Sequence, residues 1–235
     1  MLEDLREAFP GNMEKNKEEV SRIIQYLMGD DDMSTEEIIE RFSLYSEQYE
    51  KVLEAASYKG PQLTAWKTAE LFPSNRKDIY ILDVAAGTGL CADKLYSCGF
   101  RKMDALEPSR KMLDVARMKG LYSRYFIATL GNNALDIASD TYDVVTVSGL
   151  STVVLKRMPL TAFEEMARIV KPGGFILIST LYNLYPDDGD VRAVIFRENM
   201  KTMEFQGKWK HVELMQYPSA LFDECGGISV YQVLQ

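Results

Sequence analysis

The stretch Ile81-Leu-Asp-Val-Ala-Ala-Gly-Thr-Gly-Leu90 decides the fold of this chain. It begins as a short apolar run that is typical of a buried strand, and it passes through two glycines into a helical pattern. Glycines at this place let the backbone approach a ligand at the carboxyl end of a sheet, beside the amino end of a helix. The stretch therefore predicts a ligand site where a strand meets a helix.

Short apolar runs rich in β-forming residues recur after this stretch. They lie at 79–84, 103–106, 125–130, 142–148 and 174–180, and helical patterns at 89–97, 109–119 and 160–170 separate most of them. This alternation predicts an α/β fold, doubly wound and Rossmann-like, with helices on both faces of a mostly parallel sheet. Two further runs, at 209–217 and 228–234 and joined across 225–227, predict an antiparallel edge hairpin, which makes the sheet seven-stranded.

The residues before the first strand have helical patterns. Apolar residues at helical spacing, which are Val20, Ile23, Ile24 and Leu27, predict an amphipathic helix that ends at Gly29. Ser34-Thr-Glu-Glu37 has the form of a capping box that opens a second helix, with its apolar stripe running on to Leu53. Gly60-Pro61 ends that helix and starts a third.

Composition excludes several classes of protein. The 235 residues are 46% hydrophobic and 26% charged, which is too apolar for a disordered protein, and we expect no membrane association because no apolar run is long enough to cross a bilayer. The acidic first ten residues are not typical of a secretory signal, which predicts a cytoplasmic protein. The net charge of −8 predicts no nucleic-acid partner. One histidine and three cysteines without metal-ligand spacing predict no metal site.

Two cofactors compete for the glycine motif. Gly87-x-Gly89-x-x-Ala92 fits the dinucleotide fingerprint, and Glu107 lies where an acid binds ribose hydroxyls in that motif. However, Asp83 would repel a pyrophosphate, whereas it would attract the ammonium group of a methionine moiety. The carboxylate therefore favours S-adenosylmethionine over NAD.

Several motifs occur in an order that is typical of one superfamily. They are 83–89, Leu106-Glu107-Pro108-Ser109, Tyr142-Asp143-Val-Val and Lys171-Pro-Gly-Gly-Phe175. With them, the chain resembles the class I S-adenosylmethionine-dependent methyltransferases over roughly residues 36–235. Further motifs, which are Tyr45-x-x-x-Tyr49, Tyr58-Lys59-Gly60-Pro61 and Thr129-Leu130-Gly131, resemble the methyltransferase-like proteins of the Williams–Beuren region type in animals.

The resemblance implies S-adenosyl-L-methionine as cofactor and S-adenosyl-L-homocysteine as product. Glu107 would bind both ribose hydroxyls, Pro108 and Met112 would flank the adenine, and Asp83 would orient the amino group. No acid follows the third strand, so the backbone of Leu130 or Gly131, or Asn132, would contact the adenine amine. The expected cofactor-binding residues are Tyr49, Asp83, Ala85, Gly87, Gly89, Glu107, Pro108, Met112, Leu130, Gly131 and Ser148.

The resemblance also implies how the domain is organised. We expect a helical appendage over 1–33 and a methyltransferase domain over 34–235, with lid helices at 34–72. Tyr45 and Tyr49 would lie on the lid, although tyrosines at this spacing equally fit a stripe that faces the core. The expected substrate-pocket residues are Tyr45, Leu150, Tyr182 and Tyr185.

We expect methyl transfer to an N or O atom of a small molecule by in-line displacement. The leaving thioether needs no proton, so alignment and exclusion of water are the main contributions of the enzyme. No base is evident in the sequence, and His211 is the only histidine that could serve. The alternatives are a protein methyltransferase, an NAD(P)-dependent oxidoreductase and a non-catalytic cofactor-binding protein. We expect a monomer or a homodimer.

Overall fold

The computed structural model describes residues 17–30, 32–131, 133–150, 152–221 and 224–235. Within these residues seven strands form one sheet: β1 (Tyr80–Val84), β2 (Lys102–Leu106), β3 (Tyr125–Phe126), β4 (Tyr142–Ser148), β5 (Val170–Leu181), β6 (Trp209–Leu221) and β7 (Glu224–Val233). The strand order is β3-β2-β1-β4-β5-β7-β6. Strands β1 to β5 are parallel, and β7 runs antiparallel to both β5 and β6. The predicted doubly wound α/β fold is confirmed.

Helices cover both faces of this sheet. They are α1 (Lys17–Met28), α2 (Thr35–Tyr45), α3 (Tyr49–Ala55), α4 (Gly60–Leu71), α5 (Leu90–Ser97), α6 (Arg110–Lys119), α7 (Thr152–Arg157), α8 (Leu160–Ile169) and α9 (Val194–Phe205). Successive strand residues point to opposite faces, so Ile81 packs with α4, α5 and α6, whereas Leu82 packs with α8 and α9. No helix in the described ranges is long and apolar enough to span a bilayer.

Three strand predictions differ from the structure. Strand β5 begins at Val170, four residues before the predicted run at 174–180. Strand β3 ends at Phe126 instead of continuing to 130, because β2, the strand with which it pairs, ends at Leu106. The predicted turn at 225–227 is wrong, because Gly226 and Gly227 lie inside β7. A Cβ on Gly226 would lie 2.1 Å from Cζ of Tyr217. These glycines make room for an aromatic ring, so they do not mark a chain reversal.

The N-terminal helices pack on one another. The predicted capping box is present, with the Ser34 hydroxyl accepting from the Glu37 N–H and the Glu37 carboxylate accepting from the Ser34 N–H. The helix predicted from residue 34 is broken at 46–48 into α2 and α3. The apolar face of α1 packs against Val52 of α3 and against Ala56, the residue that follows this helix. The boundary at residue 33 stays a prediction, and residues 1–16 lie outside the described part of the chain.

Candidate active site

A cavity of about 330 Å³ lies at the carboxyl ends of β1, β2 and β4. Val84, Leu106 and Ser148, each at the end of its strand, contribute to its wall. Helix α2 closes the opposite side with apolar side chains, among them Ile38 and Phe42. The glycine motif is thus brought to the edge where ligands bind in open α/β sheets.

The turn after β1 carries an unusual backbone. Ala85, Gly87 and Gly89 all have positive φ, of 54°, 54° and 82°. Gly87 faces the cavity, but Gly89 does not, since a Cβ there would lie 3.2 Å from the Tyr122 ring and 3.4 Å from Cβ of Ala116. Gly89 therefore allows α5 to pack closely on α6, and it makes no contact with the cavity.

Glu107 is a buried carboxylate in the cavity wall. Its Oε2 accepts from the Gly87 N–H at 3.1 Å and its Oε1 from the Ser109 N–H at 2.9 Å. Burial raises the pKa of Glu107, and the two N–H groups oppose this shift. Each carboxylate oxygen keeps a lone pair for a further donor, so the group is able to accept from a vicinal diol.

The part of the cavity beyond Glu107 is apolar. Pro108, Met112 and Leu130 line it, as an adenine ring requires. Gly131 does not line it, because its Cα points to Pro159, whose Cγ would lie 2.6 Å from an added Cβ. Asn132 lies outside the described residues.

Asp83 lies in a smaller, adjoining cavity of about 30 Å³. Its Oδ2 accepts from the Tyr122 hydroxyl at 2.6 Å, and its Oδ1 accepts from Thr146 Oγ1 at 2.9 Å. Burial raises the pKa of Asp83 to about 6, against the lowering effect of these hydroxyls. Ser148 lines the same cavity, and its buried hydroxyl has no hydrogen-bond partner among the described residues.

Eight of the eleven expected cofactor residues line the larger cavity: Tyr49, Ala85, Gly87, Glu107, Pro108, Met112, Leu130 and Ser148. Asp83 lines the adjoining one, and Gly89 and Gly131 line neither. The structure also brings in residues that the sequence did not single out for the site, which are Ile38, Ile39 and Phe42 of α2 and Val154 of α7. The apolar stripe of α2 indicated that Ile38, Ile39 and Phe42 are covered by other residues. Helix α7, which contains Val154, was not predicted.

Three of the four expected substrate-pocket residues are not at the cavity. Leu150 lines it, but Tyr45 packs against Tyr26 with ring centroids 5.8 Å apart. The Tyr185 ring packs on Phe196, and its hydroxyl donates to the Ile178 carbonyl at 2.6 Å. Tyr182 opens the short 3-10 turn after β5 and lines no described cavity. The tyrosines at 45 and 185 are held by packing, because each finds an aromatic partner beneath the surface.

His211 is not placed to act as a base in either cavity. It lies exposed on the outermost strand β6, opposite Tyr231, which in turn pairs with Ile176. Ile176 pairs with Val145 at the middle of β4, three residues before Ser148, the strand end that lines the cavity. The structure thus removes the one base that the sequence offered.

Comparisons with known proteins agree with this geometry. Residues 81–174 match the family described as a methyltransferase domain. Human Methyltransferase-like protein 27 is 30% identical over 60% of this chain and 57% of its own length. Over residues 81–174 the chain is thus similar to a methyltransferase domain. Demethylmenaquinone methyltransferase from Bacillus licheniformis is 29% identical to it over 79% of this chain and 85% of that protein.

Solved structures share the fold of this methyltransferase domain. A TehB-like SAM-dependent methyltransferase from Corynebacterium glutamicum has a TM-score of 0.59 at 15% identity, covering 81% of this chain and 97% of that one. A putative methyltransferase of Haloferax volcanii, solved with its Trm112 activator, has a TM-score of 0.56 at 16% identity, covering 83% and 98%. At these identities the likeness shows a shared fold.

S-adenosyl-L-methionine is the cofactor of the domain, and S-adenosyl-L-homocysteine is its product. The residues present fit this cofactor. Glu107 offers carboxylate oxygens to a ribose diol, Asp83 offers a carboxylate near the place for an ammonium group, and the walls between Pro108 and Leu130 suit an adenine. No group of three or more metal-binding side chains occurs within the described ranges.

Proposed function

We propose that this chain transfers the methyl group of S-adenosylmethionine to an N or O atom of a small molecule. The observation that carries the proposal is the buried Glu107 carboxylate, which the Gly87 and Ser109 N–H groups hold at the cavity wall. A small acceptor is supported by α2 and α3, which contribute Ile38, Phe42 and Tyr49 to the cavity wall.

The bound cofactor would supply a methyl group on a sulfonium, which the acceptor lone pair attacks while the C–S electron pair returns to sulfur and the acceptor proton leaves to water. The residues of the chain contribute alignment. Glu107 would fix the ribose, Asp83 would fix the ammonium group, and the apolar side chains of α2 would exclude water from the reacting atoms.

The finer assignments belong to the same proposal. We propose that the chain is close to the methyltransferase-like proteins of the Williams–Beuren region type, and the match with human Methyltransferase-like protein 27 supports this. Relatives named as a demethylmenaquinone methyltransferase and, in Vibrio parahaemolyticus, as a ubiquinone biosynthesis O-methyltransferase support a small acceptor. We further propose a cytoplasmic monomer or homodimer in which α2 and α3 form the lid. Helix α4, which the sequence assigned to the lid, instead packs on the sheet, with Ala65 and Ala69 buried beside Ile81.

Calorimetry tests the cofactor half of this proposal. The purified chain should bind S-adenosylmethionine and S-adenosylhomocysteine, and not NADH, because two carboxylates flank the site where a dinucleotide carries its diphosphate. Tight binding of NADH without binding of S-adenosylmethionine would overturn the proposal in favour of an oxidoreductase.

Methyl transfer itself is tested with cofactor that carries a labelled methyl group. The label should appear in the small-molecule fraction of a metabolite extract and not in the protein fraction. Label in protein alone would favour a protein methyltransferase. Binding without transfer to either fraction would favour a cofactor-binding protein without turnover.

A further inference from the structure

A third cavity, of about 60 Å³, adjoins the two already described. Its walls are apolar and come from α1 on one side and from the ends of β5 and β6 on the other. Ile24, Leu27 and Met28 line it from α1, and Leu181 and Leu221 line it from the strands. We call it the α1 pocket.

Tyr49 joins all three cavities. It lines the 330 Å³ cavity that contains Glu107, the 30 Å³ cavity that contains Asp83, and the α1 pocket. A cofactor with its adenosine in the first cavity and its ammonium group in the second would have its sulfur between the two, where Tyr49 lines both. The α1 pocket therefore opens at the place where the methyl group would be.

Two glycines set the wall between the α1 pocket and the Asp83 cavity. A Cβ on Gly149 would lie 2.8 Å from the Tyr58 hydroxyl oxygen, and one on Gly60 would lie 2.3 Å from it. Tyr58 therefore fits only because both positions lack a side chain, and it lines both cavities. Burial raises the pKa of Tyr58 well above its ordinary value, so this wall is neutral at physiological pH.

The chemistry of the α1 pocket selects its ligand. Among the described residues that line it there is no carboxylate, ammonium or guanidinium group, and Thr180 already donates its hydroxyl to the Leu150 carbonyl at 2.7 Å. A charged ligand would lose its hydration there without gaining a partner. Burial of an uncharged ring or alkyl group there is favourable, because it removes only apolar surface from water.

We propose that the α1 pocket is the acceptor subsite and that the acceptor is uncharged when bound, with an apolar ring or chain next to the atom that takes the methyl group. This inference rests on the proposed methyl transfer. Helix α1 would then form a wall of the active site, whereas the sequence predicted that it is an appendage to the domain. It also replaces Tyr45, Tyr182 and Tyr185 as the expected substrate contacts.

A matched set of probes tests the charge preference. Benzyl alcohol, benzoate and benzylammonium have nearly the same shape and differ in charge. With saturating S-adenosylhomocysteine at neutral pH, we expect benzyl alcohol to bind at least ~10-fold more tightly than either ion, because burying an unpaired charge is costly. Equal or tighter binding of either ion would overturn the proposal.

Methionine methyl groups report the two sites separately in NMR spectra. Met112 lines the cofactor cavity, Met28 lines the α1 pocket, and Met118 is 79% exposed and serves as a reference. S-adenosylhomocysteine should shift Met112, and benzyl alcohol added afterwards should shift Met28. Met28→Leu assigns the signal. No shift of Met112 would contradict the proposed function, whereas a Met112 shift without a Met28 shift would contradict this inference alone.

Filling the pocket gives an independent test. Met28→Trp should lower the affinity for benzyl alcohol at least ~10-fold and leave that for S-adenosylhomocysteine within ~2-fold, because the larger side chain occupies the pocket. Tyr26→Trp is the matched control, since Tyr26 lies on the same helix outside the pocket lining. Unchanged benzyl alcohol affinity in folded Met28→Trp would overturn the proposal. If that variant does not fold, the methyl shifts of the unaltered chain decide.

Discussion

Two buried aspartates on neighbouring strands behave differently. Asp104 of β2 accepts from the hydroxyls of Tyr80 and Tyr142 at 2.6 and 2.8 Å and from the Arg124 guanidinium at 2.8 Å. Asp83 of β1, on the other face of the sheet, accepts from two hydroxyls and from no cationic side chain among the described residues. Removing a carboxylate that is paired within the fold is costly, because its partners are left unpaired, whereas a carboxylate without a cation is able to bind one from outside.

The largest effect should follow the loss of Asp104. Asp104→Ala leaves the hydroxyls of Tyr80 and Tyr142 and the Nε–H of Arg124 without their acceptor. Because buried donors lose their partner, we expect a loss of about 3 kcal/mol of unfolding free energy. Denaturant titration measures it. Asp83→Ala is the comparison, and an equal loss there would erase the distinction between the two aspartates.

Glu107 should matter mainly for the cofactor. Glu107→Ala removes hydrogen bonds from a charged group to the ribose, so we expect the cofactor to bind about 1.5–3 kcal/mol more weakly by calorimetry. The substitution also leaves the Gly87 and Ser109 N–H groups without their acceptor. Glu107→Gln keeps one acceptor oxygen, so its cofactor affinity should lie between that of the unaltered chain and that of Glu107→Ala. Unchanged affinity in both variants would remove Glu107 from the site.

Asp83 should make cofactor affinity depend on pH. Since its pKa is about 6 in the folded chain, the carboxyl is neutral below that pH and charged above it. Affinity for S-adenosylmethionine should therefore rise between about pH 5 and about pH 8 in the unaltered chain. Asp83→Asn should bind with the low-pH affinity throughout. A rise that persists in Asp83→Asn would assign the titration to another group.

The raised pKa of Asp83 should also make the stability of the fold depend on pH. The folded carboxyl holds its proton more tightly than the unfolded one, whose ordinary pKa is 3.8. The contribution of Asp83 to stability thus falls as the pH rises from 3.8 to about 6. Above that range Asp83→Asn should be no less stable than the unaltered chain, and more stable by at most about 3 kcal/mol. Denaturant titration at about pH 8 would contradict this if the variant were clearly less stable.

The lid should respond to the cofactor. Glu50 of α3 accepts from Thr88 of the glycine turn at 2.6 Å and from Lys119 of α6 at 2.5 Å, and Ser43 of α2 contacts Ser109 at 2.6 Å. These contacts tie the lid to the cofactor turn, so S-adenosylhomocysteine should slow hydrogen exchange over residues 34–60. Glu50→Gln should reduce that slowing. If hydrogen exchange over residues 34–60 did not respond to the cofactor, these helices would be part of the core and not a lid.

The smallest effect should follow the loss of His211. It lies on the outermost strand β6 and lines none of the described cavities, so His211→Gln should leave turnover nearly unchanged. A general base contributes about 10²–10⁴-fold, and a loss on that scale at saturating cofactor would restore His211 as a candidate.

Much of the fold was predictable because each parallel strand is a separate apolar run bounded by helices. Asp83 was predicted as a site residue because it ends a strand four residues before Gly87, and Glu107 because it follows the glycine motif by the ~20 residues that the fingerprint requires. The Tyr122 partner of Asp83 lies 39 residues away, and only the folded sheet brings the two together. Gly226 and Gly227 were misread because a glycine gives the same signal whether it forms a turn or makes room for a ring.

The place of β7 in the strand order also governs how the chain is made. Strand β6 is synthesised before β7, yet it reaches the sheet only through β7, which pairs with β5 on its other side. In a nascent chain that has emerged only as far as β6, β5 therefore lacks its antiparallel neighbour, and β6 has no strand to pair with. We expect ribosome-bound intermediates that lack β7 to resist proteolysis poorly, and protection should arrive in one step once residues 224–233 leave the exit tunnel.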